Sequence, residues 1–181
     1  MKFKVTTQSI PDVLLIEPIV YADDRGYFKE SYNLHDFEEF IPGVKFVQDN
    51  ESKSTRGVLR GLHFQNPPFE QAKLVRVVQG SIWDVAMDIR PESPSFKQYV
   101  FAELTAENHA MYFIPRGFAH GFIVTSEKAI VQYKADNFYE PDSDAGIHPH
   151  DTELNIPWPL PQADHIISSK DMGLPLLSEA I

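Results

Sequence analysis

The feature that most limits what this chain can fold into is a period of two in its apolar residues. From Ser81 to Ile89, Trp83, Val85, Met87 and Ile89 alternate with Ile82, Asp84, Ala86 and Asp88. Side chains of an extended backbone point to opposite faces in turn, so this run predicts a strand with one strongly apolar face and one mixed face. Lys73–Gln79 (KLVRVVQ) precedes it and is rich in β-branched residues. Gly80-Ser81 between the two runs reads as a two-residue hairpin turn. Further strands are predicted at 13–19, 44–48, 58–65, 98–104, 110–114, 121–125 and 129–135. One helix is predicted after Asn33, whose side chain can accept from a free first-turn N–H. Leu34, Phe37, Phe40 and Ile41 then share one face, and Pro42-Gly43 ends the helix. Short strands at close spacing favour an all-β sandwich or barrel over alternating βα units. The Pro-rich stretch from Ile156 carries Trp158, Ile166, Ile167 and Leu174, and is expected to pack on the barrel rather than trail from it.

Composition narrows the function classes. A length of 181 residues fits one domain spanning 1–181. A hydrophobic share of 43% is ample for a core and argues against disorder. With 16 Lys+Arg against 26 Asp+Glu, the net charge of −10 makes nucleic acid or an anionic membrane a poor general partner. There is no cysteine, hence no disulfide framework and no thiolate ligand or nucleophile. No segment approaches the ~18 consecutive apolar residues of a membrane helix. The start, MKFKVTTQSIPDVLLIEP, does not read as a signal peptide. The expectation is a soluble protein of a reducing cytoplasm.

Three segments place polar residues inside apolar strands. In GVLRGLHFQ (57–65), His63 is a candidate base, because an imidazole with a pKa near ~6.5 can accept a proton at neutral pH. Arg60 and His63 would face opposite sides of a regular strand. Either a bulge near Gly61 re-aims one of them, or they serve different surfaces. In IPRGFAHGF (114–122), His120 sits at a strand entrance. In the third segment, Tyr133 shares a face with Ala129, Val131 and Ala135, as a core tyrosine or as an acid aimed into a pocket. The seven histidines are scattered, and the nearest pair, His148 and His150 in GIHPHDTE, has a loop-like setting, so no metal is expected. The chain has no GxGxxG, P-loop, GxSxG or HExxH signal.

Taken together, DDRGYFKES (23–31), FVQDNES (46–52), GVLRGLHFQ, KLVRVVQG, DVAMDIRPESPSF (84–96), IPRGFAHGF, Tyr133-Lys134 and SSKD (168–171) closely resemble the dTDP-4-dehydrorhamnose 3,5-epimerase family, in order and over nearly the whole chain. The resemblance implies a cupin-like jelly roll acting as a homodimer, without metal or cofactor. It implies conversion of dTDP-4-dehydro-6-deoxy-D-glucose to dTDP-4-dehydro-L-rhamnose, on the way to activated rhamnose for polysaccharides. By matching positions, His63 is the base, Asp171 orients it, Tyr133 is the acid on the far face of the sugar, and Lys73 stabilises the enolate. Arg60 and Arg25 match positions that grip the pyrophosphate or nearby sugar oxygens, and Lys170 adds charge. Phe28, Glu30, Gln48 and Asn50 match nucleotide contacts. His120 matches a position beside the sugar, and Tyr139 one that stacks on thymine. The 25–30 segment is expected to reach the partner subunit's pocket. Two departures stand out. Asp144 replaces the usual Glu of a thymidine contact, and Gly146-Ile147-His148-Pro149-His150-Asp151 lacks the family's usual tryptophan. The competing readings are a relative that epimerises C3 alone, a ketoisomerase, and a non-catalytic or metal-dependent cupin.

Overall fold

The structure, a computed structural model, describes residues 2–181. Along the chain run β1 (Phe3–Thr7), β2 (Leu14–Pro18), β3 (Tyr21–Asp23), β4 (Gly26–Phe28), α1 (Leu34–Phe37), β5 (Gln48–Thr55), β6 (Val58–Gln65) and β7 (Lys73–Gln79). There follow β8 (Ser81–Asp88), β9 (Tyr99–Thr105), β10 (Met111–Ile114), β11 (Phe118–Val124), β12 (Lys128–Ala135) and β13 (Asp144–Gly146). The chain closes with β14 (Ile166–Ile167), α2 (Ser169–Met172) and α3 (Leu177–Ala180). One sheet has the order β1-β2-β10-β7-β12-β5 and the other β13-β6-β11-β8-β9, with β14 added parallel to β6. β3 and β4 form a separate hairpin. This is the expected all-β, cupin-like jelly roll.

Three apolar clusters hold it together. Between the sheets lie Val75 and Val77 of β7, Ile82 and Ala86 of β8, Phe118 and Phe122 of β11, and Val131 of β12. Outside the first sheet, Leu74, Met111 and Phe113 pack under Phe37 and Ile41. Outside the second, Leu62, Phe64, Val85 and Met87 are covered by the tail through Leu154, Leu177 and Trp158. Both faces of each sheet are therefore shielded over much of their area, and alternate residues of one strand feed different clusters. The strongly apolar face of β8 proves to be the outer one, under the tail. Its mixed face, Ile82-Asp84-Ala86, lines the interior.

Several sequence expectations need correction. β7 and β8 belong to different sheets, so Gly80 is a corner rather than a hairpin turn. Turn chemistry specifies a change of direction but not which sheet the next strand joins. Gly80 has φ +77°, and a Cβ there would lie 2.0 Å from the Lys128 carbonyl oxygen. The strand expected at 44–48 starts only at Gln48 and runs on to Thr55, a polar edge strand with no apolar periodicity. The helix is one turn long. Asn33 does cap it, accepting from the His35 and Asp36 N–H groups, but Leu34 is exposed. β1 and the β3–β4 hairpin carry too few alternating apolar residues to have been read.

β6 settles the orientation of Arg60 and His63. Its register with β11 pairs Arg60 with Phe122 but His63 with His120, three steps against two. The extra residue is a bulge at Gly61, φ +112°. Leu62 and Phe64 face the outer cluster, while Val58 packs toward the interior. Inserting one residue restores inward parity, so Arg60 and His63 both line the interior cavity. A Cβ at Gly61 would lie 2.6 Å from both the Gly121 Cα and the His120 carbonyl oxygen. Gly61→Ala is expected to lower unfolding stability by about 1–3 kcal/mol or more, since it adds steric overlap to an unfavourable backbone region. Urea unfolding checks this, and a wild-type midpoint would contradict it.

Candidate active site

Interior-facing positions of five strands converge on one open cavity of about 320 Å³. β6 contributes Arg60 and His63, β7 Lys73, β11 His120, β12 Tyr133, and β5 Asn50 and Ser52. Each has the strand parity of apolar interior neighbours: Lys73 with Val75 and Val77, Tyr133 with Ala129 and Val131, His120 with Phe118 and Phe122. The same alternation that builds the core thus points the polar groups into the cavity.

The tail supplies the partner of His63. Ile166 and Ile167 pair with Val58 and Leu59 on β6. Ser168 then caps the one-turn α2, its hydroxyl oxygen accepting from the Asp171 N–H at 3.1 Å. That turn presents the Asp171 carboxylate to β6. Oδ1 lies 2.8 Å from His63 Nε2, and Oδ2 accepts from the Gly61 N–H at 3.2 Å. Asp171 is 4% exposed. Burial opposes its charge, yet the His63 hydrogen bond and charge, the Gly61 N–H and Ser168 together hold its carboxyl below the usual carboxylate range. A carboxylate accepting from Nε2 leaves His63 Nδ1 as the basic nitrogen.

Lys73 is buried and donates to the His63 carbonyl oxygen at 3.4 Å, with its ammonium 6.0 Å from the Tyr133 ring centroid. Burial lowers its pKa to about 8, against the pull of Asp84 and Asp144. Burial also pushes the Tyr133 hydroxyl above its ordinary value, with Arg60 opposing, so the phenol stays protonated at neutral pH. Arg60 donates from Nε to Ser54 Oγ at 3.2 Å. At the rim, Tyr139 donates to Asp144 at 3.1 Å, and Lys170 pairs with the same carboxylate. Gln48 accepts from the Tyr139 N–H at 3.0 Å and donates to Asn50 at 3.0 Å. The arrangement offers a base, a neutral acid and a cation around one space, with further cations and an exposed aromatic ring at its mouth.

Arg25, Phe28 and Glu30 are not brought into this cavity. Arg25 pairs with Asp23 on the β3–β4 hairpin, Phe28 is 68% exposed, and Glu30 pairs with Lys2 at 2.7 Å. His148 and His150 are half-buried rather than on an exposed loop. His150 Nε2 lies 2.8 Å from His165 Nδ1, and Trp158 donates to the Pro149 carbonyl at 3.0 Å, filling this corner with an indole from further along the chain. Among the described residues no three His, Asp or Glu side chains are placed to hold a metal ion. The sequence reading missed Ser54, which orients Arg60, and Gln65, whose amide holds the Phe69, Phe138 and Glu140 backbone. It also missed the pairing of His120 with Asp84. For Asp84 a signal existed, a carboxylate flanked at i±2 by Ile82 and Ala86 on one strand.

A family model described as dTDP-4-dehydrorhamnose 3,5-epimerase matches residues 7–179. The dTDP-4-dehydrorhamnose 3,5-epimerase of Salmonella typhimurium is 51% identical over 178 residues, 98% of this chain and 97% of that protein. That of Pseudomonas aeruginosa is 52% identical over 169 residues, 93% of this chain and 92% of that protein. The crystal structure of a dTDP-6-deoxy-D-glucose-3,5-epimerase from Legionella pneumophila, in complex with dTDP-4-keto-L-rhamnose, superposes with a TM-score of 0.93. It is 44% identical and covers 97% of this chain and 93% of that one.

The His63–Asp171 pair has a sign that can be checked. The Asp171 pKa is depressed in the folded state, so its stabilisation is present above the unfolded value of about 3.9 and is lost as pH falls through the lower folded value. Asp171→Asn is expected to unfold at lower urea than wild type at about pH 5, with the gap narrowing toward about pH 3. A gap that stays constant over that range would contradict the pairing.

Proposed function

This chain belongs to the dTDP-4-dehydrorhamnose 3,5-epimerase family, and on that premise we propose that it inverts C3 and C5 of dTDP-4-dehydro-6-deoxy-D-glucose to give dTDP-4-dehydro-L-rhamnose. The observation that carries this reading is that His63, backed by the Asp171 carboxylate, shares one cavity with Tyr133 and Lys73. The C4 ketone of the sugar acidifies the hydrogens on both flanking carbons. His63 Nδ1 takes one such proton, and the C–H electron pair becomes an enolate with its charge on O4. Asp171 stabilises the resulting imidazolium, and Lys73 stabilises the oxyanion, a term worth about 3 kcal/mol or more in a preorganised site. Tyr133 donates its hydroxyl proton to the opposite face of the carbanionic carbon, which inverts it. Solvent then restores the phenol and removes the proton from His63. No electrons leave the substrate, so the chemistry calls for no nicotinamide, and neither cofactor nor metal is proposed.

Arg60 and Lys170 suit the diphosphate, since Arg binds phosphate through paired N–H donors. Tyr139 offers a ring for thymine, and Gln48, Asn50 and Asp144 offer polar contacts at the same rim. His120 lies beside the sugar. Arg25, Phe28 and Glu30 belong, on this reading, to the cavity of a second copy in a homodimer. Their hairpin carries exposed Tyr21, Tyr27 and Phe28, an apolar surface that a subunit contact would cover. No helix among the described residues is long and apolar enough to cross a membrane. We assign the work to a reducing cytoplasm, which suits a chain without cysteine.

Incubation with the 4-keto sugar in D2O tests substrate, reaction and regiochemistry together. Deuterium is expected at both C3 and C5; incorporation at C3 alone would indicate a mono-epimerase, and none would remove the epimerase reading. His63→Ala should slow exchange at both carbons by at least ~10²–10⁴. Tyr133→Phe should impair inversion at C5 more than at C3. The activity should also fall as pH rises through about 8, where Lys73 loses its proton and with it the charge that stabilises the enolate. A profile flat to pH ~10, the ordinary lysine range, would exclude Lys73 from that role.

A further inference from the structure

One buried carboxylate has no part in these steps. Asp84 projects from β8 into the barrel between Ile82 and Ala86, and all three are fully enclosed. Its carboxylate meets His120 Nε2, 2.9 Å from Oδ1 and 3.0 Å from Oδ2. His120 is only 7% exposed and stands opposite His63 in the β6–β11 register. Its Nδ1 makes no hydrogen bond among the described residues. Two other titratable groups face Asp84: Lys73 from β7 and Tyr112 from β10. Burial pushes the Asp84 carboxyl above its ordinary value, and the charge and hydrogen bond of His120 and the charge of Lys73 oppose that push. The Tyr112 hydroxyl is buried and unpartnered among the described residues, so it supplies no charge. Replacing a buried charged pair by apolar side chains is often neutral or stabilising. A carboxylate at this position therefore points to a role beyond folding.

We propose that Asp84 is a positioning residue for the epimerisation: it holds the His120 ring against the cavity wall facing His63, leaves Nδ1 to the substrate, and places a carboxylate facing Lys73 beside the forming enolate. The inference rests on the epimerase reading of the same cavity and assigns to it a group that touches no reacting atom. Asp84 acts through two others. The charges around Lys73 fix the sign of the effect. The carboxylates of Asp84 and, from β13, Asp144 favour its protonated form, and burial disfavours it. Removing the charge of Asp84 thus moves Lys73 below its value of about 8.

Asp84→Asn keeps the side-chain volume and an acceptor for His120 but removes the charge. Its kcat is expected to fall about 10–100-fold, the range found when the carboxylate behind a metal-bound histidine is removed. KM should stay near wild type, deuterium should still enter both C3 and C5, and the alkaline limb of the rate profile should move to lower pH. An alkaline limb at the wild-type position overturns the proposal even if kcat falls, because a merely structural role would reduce the active fraction without shifting it. Wild-type enzyme that exchanges neither carbon would instead overturn the epimerase reading. If Asp84→Asn does not fold, 15N NMR of histidine-labelled wild type decides, with the His120 signal assigned from His120→Gln. The expected result is an Nε2 proton on His120 that exchanges slowly. A proton on Nδ1 with Nε2 bare overturns the proposal.

Discussion

The hydrogen bond between His63 and Asp171 joins residues 108 positions apart, and the segment from β14 through α2 is placed so as to make it. β14 lays the tail along β6, Ser168 caps the turn that follows, and the turn delivers a carboxylate to two groups on β6 at once. Because Oδ2 also accepts from the Gly61 N–H, the carboxylate is tied to the bulge that aims His63. A shift of either element would be felt by the other. The far end is pinned separately. Asp151 accepts from the Leu177 N–H at 2.6 Å, and Leu177 is buried in the outer cluster. Apolar burial under the tail supplies the stability, and the polar contacts fix the geometry.

The electrostatics of the cavity run against those of the chain. With a net charge of −10, the surface as a whole repels an anionic nucleotide. The interior wall, in contrast, gathers Lys73, Arg60 and the two histidines, with Lys170 at the mouth. At physiological salt the fields of exposed charges decay over about 8 Å, so local cations in a partly enclosed space outweigh distant surface carboxylates. Burial acts in different senses on two of these groups. It keeps the Tyr133 phenol protonated, but it weakens the hold of Lys73 on its proton, which the carboxylates of Asp84 and Asp144 favour. A base, an acid and a cation can then coexist within one cavity at neutral pH.

Much of the fold was legible where one physical signal dominated. β8 alternates apolar residues between two buried environments and is legible from that period, β7 is legible from its β-branched residues, and a strand at 129–135 matches β12. β5 is not legible, because QDNESKST is an edge strand whose residues face the cavity or solvent and so carry no apolar period. The corner at Gly80 was misread as a hairpin because strand pairing is a non-local property. The site was legible in a different way. Composition and spacing nominated His63, His120 and Tyr133 but could not connect His63 to Asp171; only the match of whole motifs to a family did so. The conflict between Arg60 and His63 was visible as a parity problem, and Gly61 was its visible remedy. The partnership of Asp84 with His120 spans strands that are neighbours only in the folded sheet.

The proposed epimerisation depends on where a sugar ring lies between two side chains. The most direct measurement is a crystal structure of this chain with dTDP-4-keto-L-rhamnose bound. C3 and C5 are expected within about 3.5 Å of His63 Nδ1 or the Tyr133 hydroxyl, with these two groups on opposite faces of the ring and O4 directed at Lys73. A ring seated at the rim, with both groups on one face or beyond reach, would contradict it.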